Sequence, residues 1–534
     1  MKLLGAQAVR AALLSGAAVA LVDVREQVPF ARGHILLAVH APLSRLEIAL
    51  PPLVPSRAVR LILCDGGEGL AERAAVVAAG MGYRDIAVLE GGAPAWQAEG
   101  HRLFTGLNAT GAALAETLDL VCGPPQMAPA ELVCRRTAGE PVLVLDARPW
   151  EEYCDHHIPG ALSCPGGELV YRITDLVPDS STTVVVNCAG RSRSIFGAQS
   201  LIAAGLPNPV YALAQGTYGW QRAGFELARG PGPRSDRETG GGTDQARRAA
   251  ARLAAACGVR EITAAELNRW CRESDEETLY LLDVRSPEEY VAGHAPGARS
   301  APGGQLVECA DDWIGVRAGR IVLLDDDGVR APMAAAWLRQ LGYPNVAMLA
   351  DPAKAADIVG PADATPPNPP QVHALEAKDM TADDVLLDLS AGPSFVRCHG
   401  AGAFWALRSR LPEVLERLSA GRLLVMDDVD SEVAARAVAE LHGLGRNDAC
   451  LLRGGLDALR QARASLTQGR EGMLHPMDDT VFLPADMRED PMAEAGAYLA
   501  WQATLAQEIA EDGLLAFAPY CPRATIPETK EDEP

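Results

Sequence analysis

Metal-ligand spacing is missing from this chain. Its 12 cysteines include no Cys-x-x-Cys pair and no cluster with histidine at zinc spacing. That excludes a metal site of the usual kinds and a disulfide scaffold, and a reducing cytoplasm is the simplest home for so many scattered thiols. Positive charge is also scarce. Against 70 Asp and Glu stand 48 Lys and Arg, a net charge of −22, so nucleic acid and an anionic membrane are not expected partners. Aromatic residues make up only 5%. Long hydrophobic runs are absent too. The apolar stretch 11–22, with Lys2 and Arg10 before it, superficially resembles a signal peptide. It is far shorter than the ~18 residues of a membrane span. Its last residues, Leu21-Val22-Asp23-Val24-Arg25, recur later as an internal strand, so cleavage would remove part of a folded unit.

What the chain does have is repetition. Its 534 residues exceed one core, and the Asp-containing strand ends four times: at Leu21–Arg25, Leu145-Asp146-Ala147-Arg148, Leu281–Arg285 and Leu386–Ser390. A Gly/His turn follows at Gly33-His34-Ile35, at His157 to Ala161 and at Gly293 to Ala298, and the fourth copy keeps Cys398-His399-Gly400-Ala401. A second apolar strand then ends near Cys64, Cys188, Asp325 and Asp427, and each leads into an alanine-rich helix stopped by glycine. A third strand and a turn follow, with Trp96 and Trp220 closing the first two copies. Strand and helix alternate, which predicts α/β units with a small parallel β-sheet flanked by helices. The expected boundaries are 5–105, 127–230, 260–351 and 371–465, with a C-terminal helical extension over 475–534. In that extension 492–511 reads as an amphipathic helix, and the acidic end as disordered. The joins read as a soft stretch over 105–126, a Gly-rich linker near 230–242 and a Pro-rich one over 361–370.

One stretch carries chemistry. Val184-Val185-Val186 predicts a buried strand, and Cys188-Ala189-Gly190-Arg191-Ser192-Arg193-Ser194 follows it before an apolar helix. A cysteine at a strand–helix junction faces the unpaired N–H groups of the first helical turn. With Arg191 and Arg193 beside it, Cys188 is expected to be a thiolate at neutral pH and the fastest-alkylated thiol of the chain. Such a cradle would also hold the charge of an extra sulfur.

The order Asp-x-Arg, Gly-His-Ile-Pro-Gly-Ala, Cys loop and Gly/Trp turn resembles the rhodanese family of sulfurtransferases, as four tandem rhodanese-like modules across residues 5–465. The resemblance implies that Cys188 is the nucleophile that carries a sulfane sulfur as a persulfide. Ala189, Gly190, Arg191, Ser192, Arg193 and Ser194 would bind the persulfide and an anionic donor such as thiosulfate. A thiol or cyanide would accept the sulfur, and no cofactor or metal is implied. Asp146 and Arg148 read as an ion pair bracing the loop. His157 reads as a hydrogen-bonded turn residue, Cys164 as a packed thiol, and Glu168 with Arg172 as a solvated face. Module 1 keeps Cys64 in an acidic loop with Asp65 and Glu68. Modules 3 and 4 carry Asp325 and Asp427 instead, followed in module 4 by Asp428-Val429-Asp430, and are expected to be inactive. A homo-oligomer through these inactive modules is an open expectation. Two rival readings are a non-catalytic sulfur carrier or sensor and a Cys-dependent phosphatase. The latter has its arginine six residues after the cysteine, whereas Arg193 lies five after Cys188.

Overall fold

The computed structural model describes residues 2–235, 244–361, 365–418, 421–427, 432–482 and 491–522. Four five-stranded sheets occur in succession, all with the same strand order. In module 2 the order is Gln126–Met127, Val210–Leu213, Thr183–Asn187, Val142–Asp146 and Leu162–Ser163, all parallel. The three central strands are largely buried, which is why Val142–Leu145 and Val184–Val186 read as unbroken apolar runs rather than alternating ones. The helix after Cys188 starts three residues before the apolar stretch at Ile195 begins. Ser192–Ala203 therefore takes Ser192, Arg193 and Ser194 into its first turn.

The copies do not sit alone. One compact unit holds modules 1 and 4, and another holds modules 2 and 3 with the linker and C-terminal helices. In the first, Arg408 NH1 and NH2 of module 4 donate to Glu47 of module 1 at 2.7 and 2.9 Å. In the second, Gly166-Gly167 meets Gly303-Gly304 so closely that a Cβ on Gly167 would stand 2.8 Å from the Gly304 amide nitrogen. Trp337 Nε1 of module 3 donates to Ser200 Oγ of module 2 at 3.0 Å. Modules 3 and 4 thus each pack on another module of the same chain.

Three sequence expectations need correction. The join at 105–126 is no soft linker, because Ala109–Val121 is a helix with most of its residues buried. It packs against the C-terminal helix Pro491–Asp512, one residue longer at each end than predicted. That helix buries Ala495, Gln502, Leu505 and Ile509, a three-and-four spacing that marks one apolar face. Second, Cys122 and Cys521 form a disulfide. The expectation of a reducing compartment rested on unpaired cysteines and loses that basis here. Third, Glu168 and Arg172 are not a solvated face. Their side chains are 9% and 13% exposed and pair at 3.0 Å, and Glu168 also reaches Arg330 of module 3 at 3.0 Å. No helix among the described residues is long and apolar enough to cross a membrane. The acidic end, part of the Gly-rich linker and Asp428-Val429-Asp430 lie outside the described residues.

Candidate active site

The Asp-x-Arg motif anchors the floor of the Cys188 loop. Arg148 Nε and NH2 donate to the two oxygens of Asp146 at 2.9 and 2.7 Å, and both side chains are fully buried. A second bond from Arg148 NH2 reaches the His156 carbonyl at 2.6 Å. Asn187 Nδ2, one residue before Cys188, donates to Asp146 Oδ2 at 3.0 Å. The ion pair therefore braces the loop, as its buried and fully bonded state requires. His157 is a turn residue as well. Its Nδ1 lies 3.0 Å from the Tyr153 carbonyl and its ring stacks on Tyr153 at 4.1 Å. The same stack occurs at Phe30–His34, Tyr290–His294 and Phe395–His399, which explains why an aromatic precedes each turn. Cys164 is a core thiol, and burial pushes it up to about 12.

Above this floor the loop turns its carbonyls outward. Thr217 N donates to the Cys188 carbonyl at 2.8 Å and Tyr218 N to that of Ala189 at 3.0 Å. Gly216 has φ +55°, and a Cβ there would lie 2.3 Å from the Cys188 oxygen, so only glycine closes this contact. With its carbonyls so engaged, the loop leaves Cys188 at the amide end of the helix Ser192–Ala203. Ser194 Oγ donates to Cys188 Sγ at 3.0 Å.

The two loop arginines part company. Arg193 is close enough to Cys188 to act on its charge. Its NH1 and NH2 donate to Glu152 at 2.7 and 2.9 Å, and its Nε lies 3.2 Å from Glu308 Oε2 of module 3. Arg191 turns to the linker helix and pairs with Glu116 at 2.9 Å and with Asp119. It is a tether between loop and linker.

Nor is Cys188 open. It is 2% exposed. Tyr218, Tyr498 and Leu499 crowd Gly190 from outside, and Tyr498 meets Tyr218 edge-on at 6.4 Å. Gln502 Nε2 donates to Ser192 Oγ at 2.8 Å. The C-terminal helix is therefore a cover on the cysteine loop, which sequence reasoning missed. Only the amphipathic pattern of 492–511 in the sequence hinted that this helix packs on something. Burial pushes the Cys188 thiol up from its ordinary value. Arg193 and the Ser194 hydroxyl and N–H pull it down, Glu308 pushes it up, and burial wins. The expected resting thiolate is thus corrected to a thiol in this closed state. Because the pKa lies above the ordinary ~8.5, the thiolate fraction at pH 7 is smaller than in free cysteine. Iodoacetamide should label exposed Cys134 before Cys188 at pH 7, and Cys188 labelling should climb as pH rises past 8.5, read by peptide mass mapping.

Strand register corrects module 1. Asp146 pairs with Asn187, Asp283 with Leu324, Asp388 with Met426 and Asp23 with Cys64. The residue after each of these partners is Cys188, Asp325, Asp427 and Asp65. Cys64 thus matches Asn187, and Asp65 occupies the place of Cys188. Burial and the charge of Asp23 push the Cys64 thiol well up, with Arg25 opposing and Asp65 and Glu68 adding to the rise. All three other modules put a carboxylate where module 2 has sulfur, and each caps its helix. Asp65 Oδ2 accepts from Ala71 N at 3.0 Å and Oδ1 from Gly67 N at 2.8 Å. Asp325 Oδ2 accepts from Val329 N and Ala331 N at 3.1 and 2.9 Å, and Asp427 Oδ2 from Val433 N and Ala434 N at 3.0 and 3.1 Å. No group of metal-ligating side chains occurs among the described residues.

Comparisons with known proteins agree with this geometry. The rhodanese-like domain model matches residues 6–99, 129–223 and 263–351. A crystal structure of thiosulfate sulfurtransferase from Pseudomonas aeruginosa is 38% identical, with a TM-score of 0.91 over 97% of this chain and 99% of that one. An HTH-type transcriptional regulator of Mycobacterium tuberculosis is 38% identical over 112 residues, 21% of this chain and about half (48%) of the regulator's length. Each matched segment holds four of the five strands of one sheet and a fourth sheet repeats their strand order, so the chain belongs to the rhodanese-like family.

Proposed function

We propose that the protein is a sulfurtransferase with one reactive centre, Cys188, which carries a sulfane sulfur from an anionic donor such as thiosulfate to a thiol or cyanide. The observation that carries this reading is the trio of aspartates. An aspartate oxygen lies as many bonds from Cα as the outer sulfur of a cysteine persulfide. In modules 3 and 4 that position is filled by a carboxylate oxygen held by two N–H groups, and in module 1 each oxygen of Asp65 accepts one, from Gly67 and Ala71. The amides of Gly190, Ser192 and Ser194 occupy the matching places in module 2. They would hold the outer sulfur of a Cys188 persulfide as the aspartates' oxygens are held, favouring its anion. The likeness to the P. aeruginosa enzyme supports the same chemistry.

The reaction needs few groups. Cys188 loses its proton to water, and Sγ attacks the outer sulfur of thiosulfate. The sulfur–sulfur bond breaks, its electron pair leaves on sulfite, and the persulfide anion remains. A thiolate or cyanide then takes the outer sulfur and restores Cys188. No general base is required, in keeping with His157 being spent on the turn. The C-terminal helix must give way for the donor to enter.

Exposure to thiosulfate followed by mass spectrometry should find one added sulfur on the Cys188 peptide, removable by cyanide. An adduct without turnover would favour a carrier. Arg193 is the donor's cationic partner in this reading. Lysine there keeps the charge and loses the planar fork that grips Glu152 and must regrip the donor. Arg193→Lys should lower kcat/KM for thiosulfate by about 1.5–3 kcal/mol, nearly as far as Arg193→Ala. Arg191→Ala should change it far less, since Arg191 faces the linker helix. Equal losses at both positions would contradict the assignment.

A further inference from the structure

Arg193 has its positive charge already taken. Two oxygens of Glu152 and one of Glu308 surround it. One guanidinium and two carboxylates leave a net of one negative charge beside a sulfur that has to receive an anion. The two carboxylates differ in origin. Modules 2 and 3 share a constant offset: Cys188 matches Asp325, Arg193 matches Arg330, and Glu152 matches Glu289, which grips Arg330 in the same way. Glu152 thus belongs to the module plan. Glu308 does not. It is the last residue of the helix Gly303–Glu308 in module 3, and its counterpart in module 2 is Tyr171. Arg330 lies over the Tyr171 ring at 4.6 Å, where Arg193 meets the Glu308 carboxylate. Arg330 too meets a carboxylate of its paired module, Glu168 at 3.0 Å, but Asp325 stands there in place of a sulfur, whereas Glu308 faces the arginine beside Cys188.

We propose that Glu308, supplied by module 3, is a specificity-determining residue that holds Arg193 back from dianionic sulfur donors and favours donors of lower charge. This rests on the sulfurtransferase reading of Cys188. A dianion reaching Arg193 must displace Glu308 or find it protonated. Around Glu308 stand Arg193 and Glu152 of module 2, the Cys188 sulfur, Tyr498 of the C-terminal helix and Cys309 of its own segment. Burial pushes the Glu308 carboxyl up, Arg193 opposes and Glu152 adds. The carboxyl is neutral below that raised pKa, so use of a dianion improves as pH falls towards it and worsens above it.

Glu308→Gln keeps the size and removes the charge. The test compares thiosulfate, a dianion, with methanethiosulfonate, a monoanion that delivers the same sulfur and leaves as a sulfinate. In the full-length variant kcat/KM for thiosulfate should rise about tenfold relative to methanethiosulfonate, the effect of one nearby charge in a partly screened site. The decline of thiosulfate use with rising pH above the Glu308 pKa should vanish. The pH midpoint of Cys188 alkylation should fall, because Glu308 no longer opposes the thiolate. A lost fold would show in the circular dichroism spectrum, and Glu308→Asp, which keeps the charge, should then retain the wild-type donor ratio. The alkylation midpoint is read without any sulfur donor, so it decides the point even if neither donor turns over. Retention of transfer by a Cys188 variant would instead overturn Cys188 as the reactive centre, an outcome distinct from either Glu308 readout. An unchanged donor ratio together with an unchanged midpoint in Glu308→Gln would overturn the role of Glu308.

Discussion

Cys188→Ser should abolish sulfur transfer, a loss of about three orders of magnitude or more, because the nucleophile that holds the sulfur is gone. Cys64→Ser should leave transfer close to wild type. The contrast follows from register. Cys64 is the last residue of its strand, paired with Asp23, and it occupies the position of Asn187. Its side chain is fully buried, and its thiol is pushed well up. The reactive position of module 1 is Asp65, whose oxygens already fill the amide cradle. What Cys64→Ser should change is stability. A hydroxyl in place of a buried thiol costs about 1–3 kcal/mol unless it finds a partner. Steady-state transfer and calorimetry on both variants separate the two effects. A Cys64 variant that loses transfer while its melting temperature is unchanged would mean that module 1 is a second reactive centre.

Much of this is legible in the sequence alone. The four-fold strand ends, the Gly/His turns and the glycine-stopped helices each follow from local rules of burial, turn geometry and helix termination. Such rules repeat faithfully when the module repeats. Cys188 was legible because a strand, a small-residue loop and a helix meet there. Assignment of Cys64 failed for a physical reason. A one-residue shift at a strand end moves a side chain to the opposite face, and the sequence holds cysteine and aspartate side by side at that point. Long-range partners were not legible either. Glu308 lies 115 residues beyond Arg193, and Tyr498 lies on a helix that no repeat describes. The Cys122–Cys521 disulfide joins residues 399 apart. Arg191 and Arg193 looked equivalent in the loop. Arg191 is the non-helical residue before the helix and turns to the linker, whereas Arg193 lies in the first helical turn beside the sulfur.

In module 3, where Asp325 stands at the place of the cysteine, the loop arginine is a structural element, and its removal should be severe. Arg330 is fully buried. It donates to Asp327 at 2.6 Å, to Glu289 at 2.5 and 3.0 Å, to Asp326 at 3.1 Å and to Glu168 of module 2 at 3.0 Å. Arg330→Met would fill the volume and strand the buried carboxylates of Asp327 and Glu168 together with the partly buried Glu289. Leaving buried charges without their partner costs about 3–5 kcal/mol. The pH dependence fixes the cause. Burial would raise the Glu289 carboxyl, but Arg330 outweighs it and holds the group at about 2. A depressed carboxylate stabilises the fold above its unfolded pKa of ~4.3, and that stability is lost as pH falls towards 2. Without Arg330, burial dominates and the carboxyl rises. The variant's deficit should therefore be largest at pH 7 and shrink near pH 4, as the orphaned groups take up protons. Calorimetry at both pH values reads this directly, with Arg330→Lys expected between wild type and Met, since it keeps charge but not the five-donor fork. A deficit equal at pH 7 and pH 4 would show that packing over Tyr171, and not the carboxylates, is what Arg330 supplies.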